Sequence, residues 1–280
     1  MILAYLPTRL LRHLQFVLGS ERAPLIARTW ADIDPILQSK PISAAVIDPS
    51  SDHPSKELEL EQLMRSYPSL PVIAYLPLTA KAFGAVSNLA EKGLRHVVLY
   101  SHDDEDVKFL SLIEQAQTSP LTTRLLGELE PRLTMLPLRL AKAVEKLFTQ
   151  PHLFPNAQDL SRVSAIPLVR SHRALREAGF STPKKIFIAA KLLKAYAYLG
   201  DPAHSVNAVA KKLGYRHTRI LADHSNELFG LNPSRLHSYM TDDQAIEKIL
   251  ASICVGDGNA SAGNGRRRYR HASEEQESPN

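Results

Sequence analysis

The sequence predicts an α/β unit over residues 1–118 and an all-α unit over residues 136–252, joined by a helical linker at 119–135 and followed by a disordered tail at 253–280. Three observations lead there. Short apolar runs alternate with amphipathic stretches as far as residue 117, strand-like runs stop after Pro120, and the helical half contains one pattern twice. Short strands that are apolar on both faces need helices above and below, which predicts βα units around a parallel sheet.

The expected strands are the runs 2–6, 24–27, 44–47, 72–76 and 96–100, each bounded by Pro, Gly or polar residues. Helices are expected between them at 8–18, 31–38, 56–67, 81–91 and 104–117. Beyond Pro120, residues 121–129 and 133–148 read as helices joined or kinked at Pro131, and helix punctuated by turns continues to Leu250. Thr182 before Pro183 and Asn232 before Pro233 each place a capping side chain ahead of a proline at the first helical position. Thr241 with Gln244 makes a capping box for a last helix. The end of the chain, rich in Gly, Ser and Asn and then in charge, carries too little apolar surface to fold.

Composition narrows the function classes. In 280 residues there is one cysteine, Cys254, so an intramolecular disulfide framework and a Cys/His zinc site are both excluded, and a reducing cytoplasm is the expected location. No secretory signal and no apolar stretch of about 18 residues is present, so no membrane partner is expected. Charge is unevenly placed: residues 121–255 hold 19 basic and 11 acidic residues, a net +8, whereas residues 1–120 hold 11 and 14, a net −3. A basic field of that size attracts a polyanion.

The repeat lies inside the basic block. DLSRVSAIPLVRSHRALREAGFSTP (159–183) and AVAKKLGYRHTRILADHSNELFGLNP (208–233) each contain a short helix, a tight turn, a second helix and a glycine–proline exit, a helix-turn-helix grammar. The offset is 49 residues at the turns (Ala165, Gly214) and 51 at the closing glycines (Gly179, Gly230). In the second copy, burial of Leu221 and Phe229 leaves Arg219, Ala222, Asp223 and Asn226 on the opposite face, the face that enters a major groove. Arg219 is the candidate partner of guanine, and Asp223 either accepts from a cytosine amino group or orients Arg219; the alternative is an exposed Arg–Asp pair on a solvated face. His217 and Thr218 open this helix and join the candidate base contacts, while His224 is expected to be structural. In the first copy the second helix spans 167–178, with Arg170, His172 and Arg173 as candidate base contacts. Arg176, Lys184, Arg216 and Arg235 are candidate phosphate contacts. Between the copies, 184–199 reads as a helix with Ile186, Ala189, Ala190, Leu193, Tyr196 and Ala197 on its apolar stripe; at about 24 Å long it suits a strut between heads in grooves roughly 34 Å apart.

From about Leu136 to Met240 the chain resembles the DNA-binding domain of the AraC/XylS family of bacterial transcription regulators, two helix-turn-helix units joined by a long helix. Gly214, Tyr215, Gly230 and Pro233 fall at that family's intervals. Leu221, Asp223 and Ser225 depart from it, standing where Phe, Arg and Phe are usual; a thinner helix packing and one lost positive contact are therefore expected.

The N-terminal half resembles a response-regulator receiver domain, which implies strand order 2-1-3-4-5. The resemblance requires an acidic pair, an acceptor aspartate, a hydroxyl and a lysine at the strand ends. The chain has Leu6 and Pro7, then Asp48, about Leu76 and about Tyr100 there. Only Asp48 remains, so phosphoryl transfer is not expected and Asp48 is expected to cap the next segment. The run His102, Asp103, Asp104, Glu105 and Asp106 reads as the acidic start of a helix in preference to a cation site.

The expected function is therefore sequence-specific binding of double-stranded DNA by a bacterial, cytoplasmic regulator that is not an enzyme and needs no cofactor or metal. Its N-terminal unit is expected to form a homodimer or to meet a partner such as RNA polymerase or another regulator. The alternatives are a protein-interaction adaptor whose repeats no longer bind DNA and a small-molecule-binding α/β protein.

Overall fold

Apolar residues on both faces of short strands dictate a sheet buried between helices, and residue alternation assigns each side chain to one face. In the structure, a computed structural model that describes residues 1–50 and 56–255, these strands are β1 (Ile2–Tyr5), β2 (Leu25–Ile26), β3 (Ala44–Ile47), β4 (Val72–Pro77) and β5 (His96–Tyr100). They pair in parallel in the order β2-β1-β3-β4-β5, with Leu3 opposite Leu25 and Ala45, and Ala45 opposite Val72. The intervening helices are α1 (Thr8–Leu18), α2 (Ile33–Ser39), α3 (Glu57–Ser66), α4 (Ala80–Glu91) and α5 (Asp106–Gln117).

Ile2, Ala4, Val46, Ile73, Tyr75 and Val98 face α1 and α5, where Leu10, Leu14, Phe109 and Ile113 cover them. On the other face Leu3, Ala45, Ile47, Ala74 and Leu76 meet Ile33, Leu37, Leu60, Leu63, Ala82 and Leu89 of α2, α3 and α4. The edges depart from the expected uniform burial. β2 has two residues and exposes Ile26, and β5 is half-buried at its ends, because an edge strand has a neighbour on one side only.

The remaining helices are α6 (Pro120–Leu133), α7 (Leu138–Thr149), α8 (Asp159–Ser164), α9 (Leu168–Glu177), α10 (Pro183–Leu199), α11 (Val206–Lys212), α12 (Thr218–Phe229), α13 (Leu236–Tyr239) and α14 (Asp242–Ile253). Two boundaries differ from the sequence reading. Pro131 lies within the last turn of α6 and does not end it, since near a C-terminus a proline forfeits a single bond; the break falls at residues 134–137. Segment 119–135 is more than a linker: Leu125, Leu129 and Leu133 are buried in the same core as α7 and α10, and Arg124 pairs with Asp243 of α14. Ordered chain also outlasts residue 252. Ile253 is fully buried, Cys254 bridges to Phe180, and the Val255 amide donates to the Gly179 carbonyl, so the expected tail loses its first three residues to the fold. Residues 256–280, with the basic run 266–270, lie outside the described residues.

α10 is the hub of this unit. Of the expected stripe Ala197 is only half-buried, while the helix also buries Leu192, Ala195 and Tyr198, so it is a core helix closed on nearly all sides by α7, α11, α12 and α14. Its proline start is capped as expected, the Thr182 hydroxyl accepting from the Lys185 amide; Thr241 and Gln244 form their reciprocal box at α14.

The two units touch through the loop between α10 and α11. The Ala203 amide donates to the Ser66 carbonyl at 3.2 Å, and Gln38 Nε2 donates to the Ala203 carbonyl at 2.7 Å and to the Tyr67 hydroxyl at 2.8 Å. The ring of His204 meets Tyr67 edge-on, centroids 5.0 Å apart.

Candidate nucleic-acid interface

Each copy of the repeat folds as two helices around a left-handed residue. In the first, α8 ends at Ser164 and Ala165 takes φ 54°; in the second, α11 gives way after Leu213 to Gly214 at φ 70°. Glycine carries this conformation without cost, whereas the Cβ of Ala165 is strained by it. The second helices, α9 and α12, start at Leu168 and Thr218, and their inward pairs are Ser171 with Leu175 and Leu221 with Ser225. Both comparisons place the copies 50 residues apart over the second helix, between the offsets of 49 and 51 legible at the turns and exits.

That register settles which residues face out together. With 3.6 residues per turn, Val169, Arg173 and Arg176 lie opposite the buried side of α9, and Arg219, Asp223 and Asn226 occupy the matching places on α12. Arg170 and His172 stand exposed on the two flanks of the α9 stripe, so His172 is not beside Arg173 at its centre. Arg173 is 72% exposed and holds Glu177 at 3.1 Å; Arg219 is 89% exposed with Asp223 at 4.0 Å. The intrahelical Arg–Asp pair weighed from sequence is therefore present, loosely, and both arginines remain open to solvent.

At the start of α12 the expectations divide. His217 is exposed at the N-cap, but Thr218 is half-buried and its hydroxyl donates to Asn207 Oδ1 of α11 at 3.1 Å, tying the two helices of the copy together. Arg176, Lys184, Arg216 and Arg235 are all exposed. Neither α9 nor α12 has a side-chain cap; in α12 the Ile220 amide donates to the His217 carbonyl at 3.1 Å, and the earlier first-turn N–H groups of both helices can meet an anion. Charge differs between the two: α9 carries Arg170, Arg173 and Arg176 against Glu177, whereas α12 carries Arg219 against Asp223 and Glu227.

Behind the outward faces the packing is specific. Ser225 is fully buried, and its hydroxyl donates to the Leu231 carbonyl at 2.7 Å, using the small side chain to close the turn after α12. Tyr215 lies against α10, where the Lys191 ammonium sits 4.5 Å from the Phe187 ring and 5.0 Å from the Tyr215 ring; burial lowers the Lys191 pKa and raises that of Tyr215. His224 meets the Tyr215 hydroxyl at 3.3 Å and is also lowered, chiefly by burial, in keeping with a structural role. It lines a cavity of about 330 Å³ with Lys185, Ile188, Glu227 and Lys248.

Sequence reasoning passed over two residues of this surface. Val169, 80% exposed on the outward stripe, was signalled by an apolar side chain out of phase with Ser171 and Leu175. Asn207, the partner of Thr218, carried no signal, because the contact joins two helices.

At the sheet end, Asp48 is 2% exposed and accepts from the Ser50 amide at 2.9 Å and hydroxyl at 2.7 Å, capping the following segment as expected. The run of residues 102–106 disperses. Asp103 meets the Leu99 amide, Asp104 accepts from Tyr75, Glu105 pairs with Lys108, and Asp106 lies by His13. Among the described residues no group of His, Cys, Asp or Glu is placed to hold a metal, and no helix is long and apolar enough to cross a membrane.

Comparison of the chain with protein-family models, with curated proteins and with solved structures finds no match.

Proposed function

We propose that this chain is a sequence-specific double-stranded-DNA-binding regulator of transcription of the AraC/XylS kind, in which α9 and α12 read neighbouring major grooves. The observation that carries the reading is the recurrence of one tertiary motif on either side of α10, each copy turning a solvent-open arginine-bearing stripe away from the core. A helix-turn-helix presents such a stripe to base edges, and uncapped first-turn amides favour phosphate beside it. Base contacts are assigned to Arg173 and Arg219, flanked by Arg170, His172, His217 and Asp223; phosphate contacts to Arg176, Lys184, Arg216 and Arg235. The sheet unit, receiver-like but with Asp48 already engaged, serves dimerisation or partner sensing in a cytoplasmic, non-catalytic protein.

Selection of duplexes from a random pool with the full-length protein, followed by salt-titrated binding, tests this. A recovered consensus whose affinity falls steeply with salt is the expected result. Flat or absent binding would favour a protein-interaction adaptor.

A further inference from the structure

The fold does not call for valine at position 169. The side chain is 80% exposed, so it contributes little burial, and a β-branched residue slightly weakens the helix that carries it. Its counterpart in the second copy, 50 residues on, is Arg219, so the motif closes with a long cation there just as well. Packing and propensity both leave the choice open. What surrounds Val169 is informative: on the same outward stripe stand Arg173 and Arg176, with Arg170 beside them, a cationic setting made for a polyanion.

An apolar side chain in the first turns of a helix that enters the major groove has one base-edge partner, the 5-methyl group of thymine. Along the helix axis, Val169 and Arg173 are separated by about 6 Å, close to two base-pair steps of about 3.4 Å. Resting on the DNA-binding reading above, we infer that the first head reads a thymine through Val169, within about two base pairs of the base that Arg173 contacts. The second head has no such contact, because Arg219 replaces the valine. The heads therefore differ in kind: the first adds a methyl contact to the polar contact of Arg173 within a strongly basic helix, and the second reads by polar contacts alone from a helix of lower positive charge.

The experiment uses the full-length protein and a duplex recovered from the random pool. Each thymine is replaced singly by deoxyuridine, which removes the methyl group and nothing else, and affinity is read by fluorescence anisotropy for the parent chain and for Val169→Ala. At one or two adjacent thymines the parent chain is expected to lose affinity about fourfold, the worth of one buried methyl group. Val169→Ala is expected to bind the unmodified duplex more weakly and to show no further loss on deoxyuridine. A parent chain indifferent to every replacement, or a variant that keeps the parent's sensitivity, overturns the thymine assignment and leaves the DNA reading standing. Failure to recover any duplex overturns both. The exposed site lets Val169→Ala fold, and an unchanged melting temperature verifies it.

Discussion

Asp201 holds Ser69 with both carboxylate oxygens, Oδ1 accepting from the amide at 2.7 Å and Oδ2 from the hydroxyl at 2.5 Å. Asp201 lies between α10 and α11, Ser69 between α3 and β4, so the sheet unit is bonded to the loop that leads into the second head. His204 adds its Nδ1 to Asp201 at 3.1 Å and its Nε2 to the Lys212 ammonium at 2.5 Å, extending this junction into α11. The sheet unit and the first helix of the second head are thus parts of one hydrogen-bonded assembly. Asp201→Ala is expected to lower unfolding free energy by about 1–2 kcal/mol, because it removes a buried carboxylate that holds the half-buried amide and hydroxyl of Ser69. Urea titration checks this; an unchanged midpoint would place the docking energy in apolar contacts alone.

The two left-handed turn residues make opposite predictions. Ala165→Gly relieves a strained Cβ, partly offset by greater freedom of the unfolded chain, and should stabilise by about 0.5–1 kcal/mol. Gly214→Ala meets no neighbour within 4 Å, so its cost is conformational, about 1–2 kcal/mol. Paired thermal melts decide; changes of the same sign would show that the turns are not equivalent.

Ser225→Ala removes the donor to Leu231 at a fully buried position. A loss of about 1–2 kcal/mol is expected. Full stability in the variant would mean that the turn after α12 is held by its glycine and proline alone.

Stability should depend on pH at both ends. His152 is lowered from 6.5 to about 4, first by burial and then by the Met1 amine and Lys194. The unfolded chain therefore takes up this proton first: stability is complete above pH 6.5 and declines as pH falls toward 4. Lys194 and Lys212 are lowered from 10.5 to about 8, chiefly by burial. Their charged forms are disfavoured in the fold, so stability rises as pH climbs above 8, until the unfolded chain begins to ionise the tyrosines that burial holds protonated, Tyr67 and Tyr198 among them, near pH 10. Denaturation midpoints across this range provide the check, and His152→Gln should flatten the acid limb.

For DNA, Arg173→Ala and Arg219→Ala are each expected to cost about 1–3 kcal/mol on a selected site. Arg176→Ala should weaken binding to all sequences alike and reduce the salt slope by about one. Asp223→Ala, which removes the carboxylate beside Arg219 from the reading stripe, should relax specificity at the base pair that stripe contacts. Unchanged affinity in both arginine variants would refute the placement of the reading stripes.

How much was legible follows from the range of each signal. The strands, α1 and the capped starts of α10 and α14 are written in apolar spacing and in cap residues within about four positions, and they stand where expected. Pro131 misled because its effect depends on how far the helix continues beyond it, and residues 119–135 were misjudged because burial of Leu125 and Leu129 depends on α7 and α10. Of the candidate site, the exposed arginines were legible as a run. The inward turn of Thr218 and the place of His172 on a flank were not, since each is set by packing against α11 or by the helix's exact phase.

By itself the sequence determined the order of the elements, the two capped helix starts, the duplication and the concentration of positive charge in the helical half, because periodicity, capping and composition act over a few residues at a time. Tertiary structure alone decided the 50-residue register of the two second helices, the exposure of Val169 and the grip of Asp201 on Ser69. Those depend on residues brought together from distant parts of the chain, and no local pattern carries a contact that spans 132 positions.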